Sequence, residues 1–110
     1  MGIFRPFEEE IVRLLAAPVL GQQLVDSVLS VGEFVEYDYS GVGYFVTVRH
    51  PDLPQRRVVL DKPSLSGSWN GVEGHYLAFV ENCELMLECW STEPVFPEQF
   101  RNQDVHVLAV

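Results

Sequence analysis

Apolar and polar residues alternate through residues 75–90, and this period of two predicts a pair of antiparallel strands. A two-residue turn at Asn82 and Cys83, or a four-residue loop over residues 81–84 with the same pairing, gives the hairpin two unequal faces. The apolar face comprises the cross-strand pairs Tyr76–Cys89, Ala78–Leu87 and Val80–Leu85. The mixed face comprises the pairs His75–Trp90, Leu77–Glu88 and Phe79–Met86. A shift of one residue would divide the apolar set between the two faces, so the pattern specifies the register well.

Residues 6–31 follow the period of a helix instead. Apolar side chains recur at helical spacing in two stripes: Phe7, Ile11, Leu14 and Leu15, then Leu20, Leu24, Val28 and Leu29. Pro18 lies between the stripes and ends or kinks the first helical segment, because proline lacks a backbone N–H. We therefore expect two short helices or one bent helix that ends near Gly32 and covers the sheet.

Further strands are predicted on both sides of the central hairpin. Their ranges are 34–39, 44–49, 56–61 and 104–110, and a Ser40-Gly41 turn joins the first two. Asn70-Gly71 is the strongest type I′ turn signal in the chain. The predicted fold class is α+β, with an N-terminal kinked helix or helix pair (about 6–31) packed on a mostly antiparallel, meander-type sheet of five or six strands. We expect a single domain that spans residues 1–110.

Charge and thiol content limit the partners and the compartment. Sixteen acidic residues against seven basic ones give a net charge of −9, which disfavours nucleic acid and anionic membranes. No apolar run approaches the roughly 20 residues that span a bilayer. Cys83 and Cys89 lie roughly 20 Å apart along one predicted strand, too far for a disulfide within one protomer. Two free thiols are typical of a reducing compartment, so we expect a cytoplasmic protein.

No catalytic motif stands out in the chain. Nucleophile elbows, phosphate-binding loops, dinucleotide fingerprints and zinc-ligand pairs are all missing from the sequence. Cys83 lies between two acidic residues, which suppress the thiolate that a cysteine nucleophile requires. We expect neither an enzyme nor a cofactor. An alternative is a small-ligand or metal site in which neighbouring strands bring His50, Asp52 and His75 together as two imidazoles and a carboxylate.

A binding surface is the interpretation that the remaining features favour. Exposed tryptophans are typical interface anchors, although each tryptophan could equally cover an edge of the core. The mixed face combines apolar side chains with glutamates, as a surface for a basic protein would. The candidate partner-binding residues are Trp69, Phe79, Met86, Glu88 and Trp90. The predicted function is a non-enzymatic binding protein, such as an inhibitor or immunity-type protein for a basic protein partner. A homo-oligomeric protein that uses the mixed face as its self-interface is a further alternative.

Overall fold

The computed structural model describes residues 3–109, and within this range the chain forms two α-helices, one 3-10 helix and six strands. The helices are α1 (Pro6–Leu20) and α2 (Gln22–Val31), and the 3-10 helix is Glu98–Asn102. The strands are β1 (Glu33–Tyr39), β2 (Gly43–Arg49), β3 (Val58–Trp69), β4 (Val72–Glu81), β5 (Glu84–Trp90) and β6 (His106–Ala109). The predicted α+β class is confirmed. The predicted last strand reaches Val110, which lies outside the described residues.

The predicted helix pair is confirmed, but the break falls at Gly21 rather than at Pro18. Pro18 lies in the last turn of α1, and only two residues of the helix come after it, so few helical hydrogen bonds remain beyond it. Gly21 has φ of 89°, which a residue with a side chain rarely adopts, and its N–H donates to the carbonyl of Ala17. The glycine therefore separates the two helices. Within the described range, neither helix is long and apolar enough to cross a membrane.

The six strands form one antiparallel sheet in the order β1-β2-β5-β4-β3-β6. Strands β3, β4 and β5 follow one another as a meander, and β1 and β2 form a hairpin. The hairpin joins the meander through β2 and β5, which are separated in sequence by β3 and β4. The meander-type sheet is thus confirmed, with two non-sequential seams, one between β2 and β5 and one between β3 and β6.

Every predicted pair of the central hairpin is confirmed, from His75–Trp90 to Val80–Leu85. The turn residues Asn82 and Cys83 have φ of 54° and 62°. The residue range 50–55 holds this turn through three backbone hydrogen bonds: Asn82 N–H to Gln55 O (2.9 Å), Cys83 N–H to Pro54 O (3.0 Å) and His50 N–H to Cys83 O (3.0 Å). These bonds keep a cysteine in a backbone conformation that usually belongs to glycine.

The first hairpin differs from its predicted register by two residues. Tyr39, rather than Tyr37, is opposite Tyr44, because the connection is a longer loop in which Ser40 N–H bonds to Gly43 O at 3.0 Å. A shift of two leaves residues 36–39 on their predicted faces, whereas a bulge between Phe34 and Glu36 brings Phe34 opposite Val48, on the other face from its prediction. The other difference is in β3, which continues through a bulge between Leu60 and Leu65 where the sequence indicated a loop.

One face of the sheet, the core face, packs against the helices. Its buried residues on the three central strands β2, β5 and β4 are Tyr44, Val46, Val48, Leu85, Leu87, Cys89, Tyr76, Ala78 and Val80. Ile11, Val12 and Leu15 of α1 are fully buried in the same core, and Phe96 and Phe100 extend it beyond the helices. The opposite face, the outer face, keeps its side chains half-buried or exposed along β4 and β5.

Candidate functional site

The outer face presents apolar side chains in adjacent rows across β2, β5 and β4. One row joins Thr47, Met86 and Phe79, and the next joins Phe45, Glu88 and Leu77. Trp90 and His75 form a third row, with ring centroids 4.6 Å apart in a stacked arrangement. Trp90 is 44% exposed at the end of this apolar strip. The four candidates Phe79, Met86, Glu88 and Trp90 therefore lie on one continuous surface.

Trp69 does not lie on this surface. It pairs with Val72 across the Asn70-Gly71 turn and packs against the core with it. Along β3 it shares a face with Gly67 and Leu65, and Leu65 is buried in the core. Because side chains alternate along a strand, Trp69 is on the opposite side of the sheet from Phe79.

Acidic side chains lie around the apolar strip, and Glu88 lies within it. Among the described residues, the outer face carries seven carboxylates: Glu33, Glu36, Asp38, Glu73, Glu81, Glu84 and Glu88. Two arginines offset them in part. Arg49 Nη2 contacts Glu84 Oε2 at 2.6 Å, and Arg57 Nη1 contacts Glu81 Oε1 at 3.3 Å. The hydrogen bond to Glu84 raises the pKa of Arg49 above its ordinary value. The face as a whole keeps a negative excess.

A depression of about 350 Å³ opens at the end of the outer face nearest the Asn82-Cys83 turn. Its lining residues are Thr47, Arg57, Phe79, Glu81, Asn82, Glu84 and Met86. The Arg57 guanidinium lies over the Phe79 ring, 4.6 Å from its centroid. Glu81 and Glu84 are directly opposite each other across the hairpin. The depression thus combines apolar side chains with two facing carboxylates.

Thr47 is the one residue of this depression whose side chain is buried, with 4% of its surface exposed. Its Oγ1 has no hydrogen-bond partner among the described residues. A buried hydroxyl without a partner costs about 1–3 kcal/mol, so most proteins satisfy such groups. This one is unsatisfied in the middle of the outer face.

The alternative metal set His50, Asp52 and His75 does not come together. His50 bonds to the turn at Cys83, whereas His75 is opposite Trp90, six positions along β4 from Glu81 and roughly 20 Å away. Within residues 3–109, no group of three or more His, Cys, Asp or Glu side chains is placed to hold a metal ion.

His50 instead joins α2 to the end of β2. Its Nδ1 accepts the backbone N–H of Asp52 at 3.1 Å, and its Nε2 is 2.8 Å from Ser27 Oγ. Because Nδ1 is the acceptor, the neutral ring carries its proton on Nε2 and donates it to Ser27. An imidazole in this tautomer cannot take the proton of the serine hydroxyl, so the contact is not a nucleophile–base pair.

A buried polar cluster under the core face escaped prediction from sequence. Glu8 is fully buried, and Arg101 donates to both of its carboxylate oxygens at 3.0 and 2.8 Å. Tyr44 also donates to Glu8, at 2.5 Å, and the Tyr76 hydroxyl is 2.9 Å from that of Tyr44. The Arg5 backbone N–H completes the set at 2.7 Å. The only sequence signal is the position of Glu8 three residues before Ile11 and seven before Leu15, on the apolar stripe of α1.

This cluster holds its protons tightly. Burial raises the pKa of Tyr44 and of Tyr76 well above the ordinary value, and burial raises the pKa of Cys89 to about 12. Burial alone would lower the pKa of Arg101, but the hydrogen bonds and charge of Glu8 raise it overall. A thiol of such high pKa is a poor nucleophile, and the carboxylate of Glu8 is fully engaged. The cluster joins α1, the 3-10 helix and the sheet.

The outer face is therefore the surface whose apolar and charged side chains stay accessible in the folded chain. Its apolar strip, its excess of carboxylates and its open depression suit contact with another molecule. No protein-family model, curated protein or solved structure matches this chain. The argument for function therefore rests on the geometry of the outer face.

Proposed function

We propose that this chain is a small acidic non-enzymatic binding protein that holds a basic protein on its outer face, in the manner of an inhibitor or immunity-type protein. One observation carries the proposal. An apolar strip of Phe45, Leu77, Phe79, Met86 and Trp90 lies uncovered on the sheet, with six carboxylates around it and Glu88 within it.

The two parts of the surface have separate roles in binding. Half-exposed apolar side chains such as Phe79 and Met86 gain free energy when a partner excludes water from them. The carboxylates match a basic surface, and they increase the association rate by steering the partner at low ionic strength. Since both free thiols suit a reducing compartment, we place this binding in the cytoplasm.

The same charges favour a basic partner over a second copy of the chain. Two outer faces brought together would oppose carboxylates such as Glu36, Asp38 and Glu88. Like charges that face each other across an interface cost several kcal/mol. The carboxylates of the outer face also disfavour nucleic acid and anionic lipid as partners.

The test is capture of a partner from native lysate at low salt. We expect the immobilised protein to retain a basic protein and to release it as salt rises, because salt screens exposed charges. Met86→Glu places a carboxylate inside the apolar strip and should abolish capture. Val19→Glu is the matched control, since Val19 is 58% exposed on α1, and it should capture the partner normally.

Three other outcomes would contradict the proposal. Equal capture by the Met86→Glu and Val19→Glu variants would place the binding surface elsewhere. Stoichiometric zinc or iron in the purified protein would favour a metal site. A dimer by light scattering that Phe79→Glu dissociates would make the outer face a self-interface.

A further inference from the structure

We infer that the open edge of β1 accepts an extended basic segment of the partner, which adds a further strand to the sheet. The inference rests on the proposed function and names the way in which the basic partner is held at one border of the outer face. Three features of β1 carry it: backbone groups that point away from the sheet, two carboxylates without an ion pair among the described residues, and an exposed phenylalanine.

The backbone of β1 is open along one side, because β1 is the first strand in the sheet order and pairs only with β2. The N–H of Ser40 bonds across the hairpin loop, and the ladder alternates from there, so the backbone groups of Glu36 and Asp38 point towards β2. Those of Tyr37 and Tyr39 point away from the sheet and have no backbone partner among residues 3–109. An extended peptide bonds to such groups when it adds a strand.

Glu36 and Asp38 give this edge its negative charge on the outer face. Both side chains are exposed, and they lie opposite Thr47 and Phe45 of β2, which carry no charge. Within the part of the chain that the structure describes, neither carboxylate forms an ion pair. A lysine directly opposite either carboxylate on an added strand therefore forms a favourable cross-strand pair.

The same carboxylates oppose pairing of β1 with β1 of a second copy. Directly opposite residues of two strands share a face, so an antiparallel self-pair centred between residues 36 and 38 places Glu36 or Asp38 opposite a carboxylate of the other copy. Charged side chains and a bulge, such as the one between Phe34 and Glu36, are devices by which edge strands avoid self-association. The carboxylates do not repel a basic strand.

The opposite edge of the sheet suits strand addition less well. Within the described residues, β6 is a strand of only four residues, His106–Ala109, and it pairs with β3 from Leu65 to Ser68. Before Leu65, β3 carries Lys62 and Pro63 within its bulge. Proline lacks the N–H that an added strand requires, and Lys62 repels a basic segment. The charge and the backbone of the two edges thus both favour β1.

Phe34 offers an apolar contact on the other side of the added strand. It lies opposite the buried Val48 on the core face, yet 54% of its surface is exposed, and no further strand lies beside β1 among the described residues. Val31, at the end of α2, is also exposed. A segment that alternates basic and apolar residues places its basic side chains by Glu36 and Asp38 and its apolar side chains on the side of Phe34.

Three heptapeptides test the inference on the intact protein. The probe is acetyl-Lys-Val-Lys-Val-Lys-Val-Lys-amide. The second peptide has glutamate in place of lysine, and the third has N-methyl groups on the valines. The valines are the residues whose backbone groups face Tyr37 and Tyr39, because directly opposite residues share a face. N-methylation therefore removes the hydrogen bonds to β1 and keeps the charge.

Amide hydrogen exchange measured by NMR is the readout. At saturation, the lysine peptide should slow exchange at Tyr37 and Tyr39 at least about tenfold, because it bonds to their backbone groups. Exchange at Glu36 and Asp38 should change little, since their N–H groups already point to β2. The glutamate peptide and the N-methylated peptide should protect neither tyrosine.

A double variant tests the role of the charges. Glu36→Gln combined with Asp38→Asn keeps the shape of the edge and should weaken binding of the lysine peptide about tenfold. Glu9→Gln combined with Glu10→Gln is the matched control on α1, because it changes the net charge by the same amount. The control should bind the lysine peptide with unchanged affinity.

The inference is overturned if the N-methylated or the glutamate peptide binds as tightly as the lysine peptide, or if the lysine peptide protects β6 instead of Tyr37 and Tyr39. A lysine peptide that does not bind at about 1 mM also overturns it. The proposed function stands in each of these cases if Met86→Glu still abolishes partner capture. If capture is indifferent to Met86→Glu, the proposed function itself fails, whatever the peptides do.

Discussion

The core face and the outer face of the sheet consist of alternate residues of the same strands. The polar groups on the two sides differ in whether they have complementary partners. On the core side, Glu8 is fully buried and every one of its contacts is complementary. On the outer side, Thr47 Oγ1 is buried with no hydrogen-bond partner among residues 3–109, and Glu81 faces Glu84. On the core side, the buried charge therefore has complementary partners. The outer face accepts a cost to stability, and such costs are commonest where a protein contacts another molecule.

The ion pairs of the two faces should differ most in their effect on stability. Arg101→Met is expected to lower the free energy of unfolding by about 3–5 kcal/mol, because it leaves the buried charge of Glu8 without its main partner. Arg57→Met removes an exposed pair with Glu81 and should cost about 0–1 kcal/mol. Urea denaturation of both variants measures the difference.

A double variant serves as the control for this comparison. Glu8→Gln combined with Arg101→Met removes both charges and should be more stable than Arg101→Met alone. If Arg57→Met were as destabilising as Arg101→Met, the two faces would not differ in the way described.

Adjacent residues of β5 provide the second comparison. Leu87 is fully buried on the core face, and Leu87→Ala should cost about 2–5 kcal/mol through lost burial and a cavity. Met86 is half-buried on the outer face, and Met86→Ala should cost about 1 kcal/mol or less. Met86→Ala should nevertheless impair partner capture, which Leu87→Ala leaves intact under conditions where it is folded. Equal losses of stability would show that the outer face is packed as tightly as the core.

Alkaline pH should lower the free energy of unfolding through the buried Cys89 thiol of the core face. The expected effect is smaller than those of the substitutions above. Burial raises the pKa of Cys89 from 9.0 to about 12, so above pH 9 the thiol ionises in the unfolded chain and stays protonated in the folded one. Its contribution to stability is therefore complete below pH 9 and is lost as pH rises towards 12, with a loss of about 2 kcal/mol at pH 10.5. Tyr44 and Tyr76, whose pKa values burial also raises, act in the same direction.

Thermal unfolding at pH 8 and pH 10.5 measures this effect. Cys89→Ala should reduce the dependence on pH, whereas Cys83→Ser should leave it unchanged because Cys83 is at the turn and not in the buried cluster. A pH dependence that Cys89→Ala does not alter would contradict the prediction.

The sequence predicts much of the fold because local pattern and local structure agree. The register of the central hairpin follows from alternation alone, and the structure confirms each pair. The loop of the first hairpin could not be chosen in this way, because two-residue and four-residue connections place the same side chains on each face. The face that Trp69 occupies could not be predicted, because it follows from the alternation of β3 beyond the predicted strand 56–61.

The buried cluster shows where prediction from sequence fails for a physical reason. Glu8 and Arg101 are 93 residues apart, and only tertiary packing selects Glu8 from three consecutive glutamates. The unsatisfied hydroxyl of Thr47 is a similar case. In sequence, Thr47 is a polar residue in an alternating strand, and its neighbours across the sheet, Glu36 of β1 and Met86 of β5, come from other segments of the chain.

The seam between β2 and β5 has a consequence for how the chain acquires this fold. The β1–β2 hairpin and the β3–β4–β5 meander each consist of contacts between neighbours in sequence, but the seam pairs Gly43–Arg49 with Glu84–Trp90. Contacts between such distant segments pay a larger loop-closure entropy and form more slowly than local ones. We therefore expect the two units to form early and the seam to close in the rate-limiting step. The outer face spans that seam, so the proposed binding surface is complete only when folding is nearly finished.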